Sequence, residues 1–113
     1  MELNEYQKQA MTTRMRSCDN FSYMMLNLVG EVGELASKVA KQIRKEEATI
    51  NSNELWTTTE NEPLMLEAGD ILWQLAGVCD AFGWSLEEVA QANLNKLASR
   101  KQRGVIDGSG DYR

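Results

Sequence analysis

The sequence predicts an all-α fold, a four-helix-bundle type, on three observations. Apolar residues recur at steps of three and four along most of the chain and do not alternate as in strands. Pro63, Gly83 and Gly104 punctuate the edges of these periodic stretches. The run Ser85-Leu86-Glu87-Glu88 is a capping box, a helix-start signature. With 113 residues the chain is read as one domain, residues 1–113. A chain of this size hides roughly two-thirds of its unfolded surface, a modest core that association of subunits would enlarge.

The first helix is expected from Asn4, as N-cap with Gln7 as its reciprocal partner, to about Arg16, directing Tyr6, Ala10, Thr13 and Met15 inward. The second covers residues 21–45, where Met25, Leu28, Val32, Leu35, Val39 and Ile43 form one apolar stripe. Residues 46–63 carry five glutamates and no basic residue, so this acidic loop has the same charge of −5 as the whole chain. It reads as a solvated connection, with a lid as the other reading. The third helix starts just after Pro63, which suits a first turn, and stops at Gly83. The fourth begins at the Ser85 box and ends before Gly104, with Leu86, Val89, Ala90, Leu94 and Leu97 on its apolar side. The tail, residues 104–113, has three glycines and is expected to be irregular.

The absence of histidine excludes a Ser-His-Asp triad, an imidazole acid-base pair, a His-ligated zinc and a Glu-x-x-His di-iron site. The formal charge of −5 argues against a nucleic acid polymer as partner, but not against a small phosphorylated ligand. Cys18 and Cys79 show no metal-ligand spacing and read as reduced thiols. The first residues have no signal-peptide pattern, and no apolar run approaches the ~18 residues of a membrane span. A cytoplasmic protein without a membrane partner is expected.

Chemistry concentrates in two paired acidic motifs. Glu31 and Glu34 are three residues apart on the second helix, hence on one face, and Glu67 and Asp70 repeat the spacing on the third. Asn27, Glu31, Glu34 and Lys38 form a polar stripe about 130° from Val32. The third helix is otherwise apolar on two flanks, so its acids are poorly solvated. Four such acids converging between helices must be protonated, paired with bases such as Lys38, Lys41 or Arg44, or bound to a cation, for which Mg²⁺ suits hard oxygen ligands. Gly33 and Gly69, one inside each motif, suggest a close helix approach or ligand access. Asn93, Lys96, Arg100 and Arg103 recur along one face of the fourth helix, a match either to the helix dipole or to phosphate. Beside a metal cluster, such donors suit a polyphosphate. Tyr6, Phe21, Trp56, Trp73 and Trp84 read first as core or interface; each could also stack on a base, Trp73 best because it lies beside Asp70, and none is assigned as base-selective.

The motifs Glu31-x-x-Glu34 and Glu67-x-x-Asp70, Asn93-x-x-Lys96 with Arg100, and the tail Arg103-Gly104 through Gly108-Ser109-Gly110-Asp111 resemble the MazG-like nucleoside triphosphate pyrophosphohydrolases of the all-α NTP pyrophosphatase superfamily. The resemblance covers nearly the whole chain. It implies hydrolysis of a nucleoside triphosphate, with deoxynucleotides the expected class, to monophosphate and pyrophosphate in nucleotide-pool sanitising or regulation. It also implies Mg²⁺, replaceable by Mn²⁺, held by Glu31, Glu34, Glu67 and Asp70, one glutamate orienting or deprotonating the attacking water. Asn93 and Lys96 would contact phosphate, and Arg100 or Arg103 would steady the leaving pyrophosphate. A helical homodimer or homotetramer is implied as well. The segment between the acidic pairs is longer than the compact family pattern. From the residues alone, a non-catalytic helical oligomerisation and interaction module is the competing reading.

Overall fold

The computed structural model describes residues 1–45, 48–50, 55–57 and 62–113, and among these it places four α-helices. They are α1 (Leu3–Met11), α2 (Phe21–Arg44), α3 (Glu62–Ala81) and α4 (Leu86–Gln102). The all-α class stands. A 3-10 turn at Arg16–Cys18 links α1 to α2. Within the stretch expected to be a loop, β1 (Ala48–Ile50) pairs antiparallel with β2 (Leu55–Thr57), Thr49 opposite Trp56. Isoleucine, threonine and tryptophan favour extended backbone, a local signal that helical periodicity does not report. Glu46, Glu47, Glu54 and Glu60, and with them the lid reading, lie outside the described residues.

The helix boundaries follow local chemistry at four of the expected points. Asn20 caps α2 by accepting from the Tyr23 amide at 2.8 Å, and Ser85 caps α4 by accepting from the Glu88 amide at 3.0 Å. Gly83, with φ +75°, takes the left-handed turn that ends α3. Pro63 lies in the first turn of α3. The expected Asn4 cap is corrected: α1 starts after Glu2, which makes no side-chain cap. Asn4 instead donates to Glu87 at 2.9 Å, and Gln7 binds Ala76 O, Trp84 O and the Leu86 amide. Long-range partners for both amides outcompete the local box. The helix also ends at Met11 rather than near Arg16, where Thr12 and Thr13 turn their hydroxyls back onto Gln9 O and Ala10 O.

α2 and α3 form the main pair. Met24 packs on Gly77 while Lys38 meets Glu67, so the two helices run antiparallel. A Cβ on Gly77 would overlap Met24 Cε, and this is where the helices approach closely. Nothing lies within 4 Å of a Cβ on Gly33 or Gly69, so close approach does not explain those two glycines. A small core of Ala76, Cys79 and Leu86 gathers Tyr6, Met11 and Val89 around it, joining α1, α3 and α4.

The orientation of α2 differs from the apolar stripe expected to face the core. Its least exposed positions are Met24, Asn27, Leu28, Glu31, Leu35, Val39 and Gln42, whereas Val32 is 47% exposed and Met25 and Ile43 also face outward. The helix is thus rotated toward its polar side, bringing Glu31 into the seam with α3. Leu26, Val29, Leu66 and Leu94 are exposed too. The radius of gyration is 17.1 Å, against about 13 Å for a compact chain of this length.

Candidate active site

The antiparallel seam brings the two acidic motifs level. Glu31, Glu67 and Asp70 each place a carboxylate oxygen within 4.8 Å of the others. Glu67 is 8% exposed, deep in the seam, while Asp70 is on its open edge and Glu31 is half-buried. Glu34, one turn along α2, is exposed and stands outside this trio. The shared helical spacing put all four acids in one cluster; the rotation of α2 admits three.

Of the three bases considered as partners, Lys38 reaches the acids, its Nζ 2.6 Å from Glu67 Oε1. Among the described residues Lys41 and Arg44 form no ion pair. One ammonium does not satisfy the cluster. Glu67 Oε2 and Glu31 Oε2 are both buried with no hydrogen-bond partner, and Asn27 Nδ2 approaches Glu31 Oε1 at a long 3.4 Å. Burial raises the Glu31 pKa above the ordinary carboxylate range, and the charges of Glu34, Asp70 and Glu67 push it the same way. Tyr6 is also raised, by burial and then by Asp70.

Two buried, unpaired carboxylate oxygens among three converging acids are costly unless a cation joins them. This donor set is all hard oxygen, which fits Mg²⁺ or Mn²⁺ rather than a soft metal. Gln74 lies in the same seam beyond Asp70, 2% exposed, its carbonyl oxygen also buried and unpartnered.

The cationic stripe of α4 is occupied by the chain's own tail. Lys96 Nζ and Arg100 Nη2 both lie 3.2 Å from Asp111 Oδ1, and Arg100 also donates to Gly110 O. Arg103 donates to Ser99 Oγ and to the Arg113 carbonyl. Asn93 lies on the rim of an apolar groove with Leu72, Leu75 and Val89. Among the described residues no hydrogen bond or ion pair joins these four side chains to the acidic trio. The tail is ordered by Arg113, whose guanidinium reaches Val105 O, Ile106 O and Gly110 O. Asp111 and Arg113 were not singled out from charge or periodicity, because no helical period extends past Gly104.

The aromatic candidates separate. Trp73 is pinned, its indole N–H donating to Ala10 O and Thr13 Oγ1. Phe21, Phe82 and Trp84 form a ladder, Phe82 stacked on Trp84 at 4.5 Å. The Trp56 side chain lies outside the described residues.

No helix among the described residues is long and apolar enough to cross a membrane. No solved structure matches the chain. It is 43% identical over 97 residues to the Gene 37 protein of Mycobacterium phage L5, covering 86% of this chain and 80% of that protein. The sequence pattern of the MazG nucleotide pyrophosphohydrolase domain matches residues 19–105, a span that holds both acidic motifs and all of α4. With paired acids meeting across an antiparallel helical seam in a metal-fitting trio, the chain belongs to the MazG nucleotide pyrophosphohydrolase domain family.

Proposed function

We propose that the protein is a Mg²⁺-dependent nucleoside triphosphate pyrophosphohydrolase, a single MazG-like domain acting on deoxynucleoside triphosphates to give monophosphate and pyrophosphate. The observation that carries this reading is the trio of Glu31, Glu67 and Asp70 with two buried, unpaired carboxylate oxygens. Glu31, Glu67 and Asp70 would hold the ion, which Mn²⁺ would also satisfy. When bound, it neutralises phosphate charge and eases deprotonation of water.

The side chains divide the remaining work. Glu34, an exposed carboxylate whose charge reaches Glu31, would accept a proton from the water that attacks the phosphate chain in line. Lys96 and Asn93 on α4 serve as phosphate donors, with Arg100 and Arg103 supplying positive charge behind them. The bond that breaks is the one between the nucleotide phosphorus and the oxygen leaving with pyrophosphate.

The exposed apolar side chains of α2 and α3 support a homodimer or homotetramer, since Leu26, Val29 and Leu66 gain little from solvent. A second copy is also one way for α4 cations to meet acids that they do not touch within a chain. A cytoplasmic location, where such a substrate pool lies, goes with this reading.

The test is pyrophosphate release from a panel of ribo- and deoxynucleoside triphosphates, with Mg²⁺ or with chelator. Stoichiometric monophosphate and pyrophosphate only with metal is the expected result. A folded protein that cleaves none of them would overturn the proposal and favour a non-catalytic helical interaction module.

A further inference from the structure

We propose that Asp111 is a positioning residue for Lys96, fixing its ammonium group for phosphate while Arg100 anchors the tail that carries Asp111. The inference rests on the reading of Lys96 as a phosphate contact. Lys96 and Arg100 are one turn apart on α4 and share a face. A single oxygen, Asp111 Oδ1, lies 3.2 Å from both.

The two cations are not equivalent. Arg100 is 5% exposed and spends its Nη2 on Gly110 O and Asp111, so it is enclosed by the tail. The Lys96 side chain is 39% exposed. Among the described residues Asp111 is its one polar partner. An ammonium has three donors, so this contact leaves two for a ligand. A lysine on a flexible four-carbon stem binds an anion better when its head group is already placed.

The tail is constructed to hold that carboxylate in place. Arg113 closes residues 105–113 through three backbone carbonyls, and Arg103 ties the far end back to α4. Gly110, at φ +82°, makes the turn immediately before Asp111 in a conformation that other residues resist. Asp111 itself is 75% exposed on its side chain, so it adds nothing to the core by burial. Its two cationic neighbours hold its carboxyl below the usual range and keep it charged at neutral pH.

The experiment uses the full chain and compares wild type with Asp111→Asn, Asp111→Glu, Lys96→Ala and the Lys96→Ala/Asp111→Asn double variant. Mg²⁺-dependent triphosphate hydrolysis is followed alongside calorimetric binding of inorganic pyrophosphate with Mg²⁺. In Asp111→Asn, KM rises about fivefold to tenfold and pyrophosphate binding weakens to match, with kcat within about twofold, as loss of uniform binding requires. Asp111→Glu recovers most of the loss, and Asp111→Asn adds no further loss on the Lys96→Ala background. If Asp111→Asn does not fold, the Asp111→Glu and Asp111→Ser pair carries the same comparison.

An unchanged or lowered KM in Asp111→Asn overturns the proposal, a lowered value meaning that the carboxylate competes with phosphate. An equal loss on the Lys96→Ala background also overturns it, because the tail would then act on the fold. Wild type that binds pyrophosphate with the same affinity as Asp111→Asn removes the tail's role and leaves the phosphate site intact. Wild type that neither binds pyrophosphate nor turns over removes both.

Discussion

Lys38 Nζ lies 2.6 Å from Glu67 Oε1, so the most buried acid of the trio already has a counter-ion before any metal arrives. The contact raises the Lys38 pKa through its hydrogen bond to Glu67, and the ammonium stays charged. A divalent cation entering the seam competes with Lys38 for that carboxylate. Lys38→Met therefore lowers the melting temperature of chelated protein, because Glu67 is left buried and unpaired beside Glu31 and Asp70. The same change enlarges the rise in melting temperature on adding millimolar Mg²⁺, as linkage requires when metal binds the folded state more tightly. Melting curves in chelator and across a Mg²⁺ titration check this; an unchanged Mg²⁺ response would mean that Lys38 and the metal do not share Glu67.

The trio and its neighbour separate metal holding from proton transfer. Asp70→Asn and Glu34→Gln should each cut turnover by about 10²-fold or more while preserving the circular dichroism spectrum. The two differ in a second readout. Asp70 lies inside the 4.8 Å cluster and Glu34 outside it, so Asp70→Asn loses most of the Mg²⁺-induced stabilisation and Glu34→Gln keeps it. Near wild-type turnover in both variants would remove the acids from the chemistry.

The sequence made the helices and the meeting of the acids readable, but not the face on which the helices meet. Periodicity identified α2 to within a residue and placed Glu31 and Glu67 on seams of helical spacing. Periodicity does not say what an apolar stripe packs against. Val32 was expected inside and is 47% exposed, because α2 gives α3 its Met24 and Glu31 side. The Ser85 cap was legible because the amide it accepts from, that of Glu88, is local, whereas Asn4 was misread because its partner, Glu87, is distant in sequence. Asp111 stands in the tail motif, but the same reason hid its contacts to Lys96 and Arg100, which depend on how Arg113 folds the tail.

Three helix glycines give opposite expectations. Gly77→Ala forces a Cβ onto Met24, which is fully buried, and overpacking of this kind costs about 1–3 kcal/mol. Gly33→Ala and Gly69→Ala meet nothing within 4 Å and remove the helix cost of glycine, a gain of about 1 kcal/mol each. Urea denaturation at fixed protein concentration measures all three. Destabilisation by Gly69→Ala would show that its open surface is filled by another molecule.

The tail contact has a pH dependence whose sign follows from Asp111. Its carboxyl is depressed first by the Lys96 hydrogen bond and then by that of Arg100. A depressed folded value means that the contact stabilises the tail above the ordinary aspartate range and is lost as pH falls through the lower folded value. The group is exposed, so salt screens the effect. Amide resonances of Gly110 and Tyr112 should titrate together at a pH below that of an unpaired aspartate, and the midpoint should rise toward the ordinary value in 0.5–1 M salt, on the order of a Debye length near 3 Å. In Asp111→Asn the transition disappears while the amides of α3, a helix tied to α1 by the Gln7–Ala76 O and Trp73–Ala10 O bonds, are unaffected. A midpoint at or above the ordinary value in low salt would mean that the carboxylate does not rest on Lys96 and Arg100 in solution.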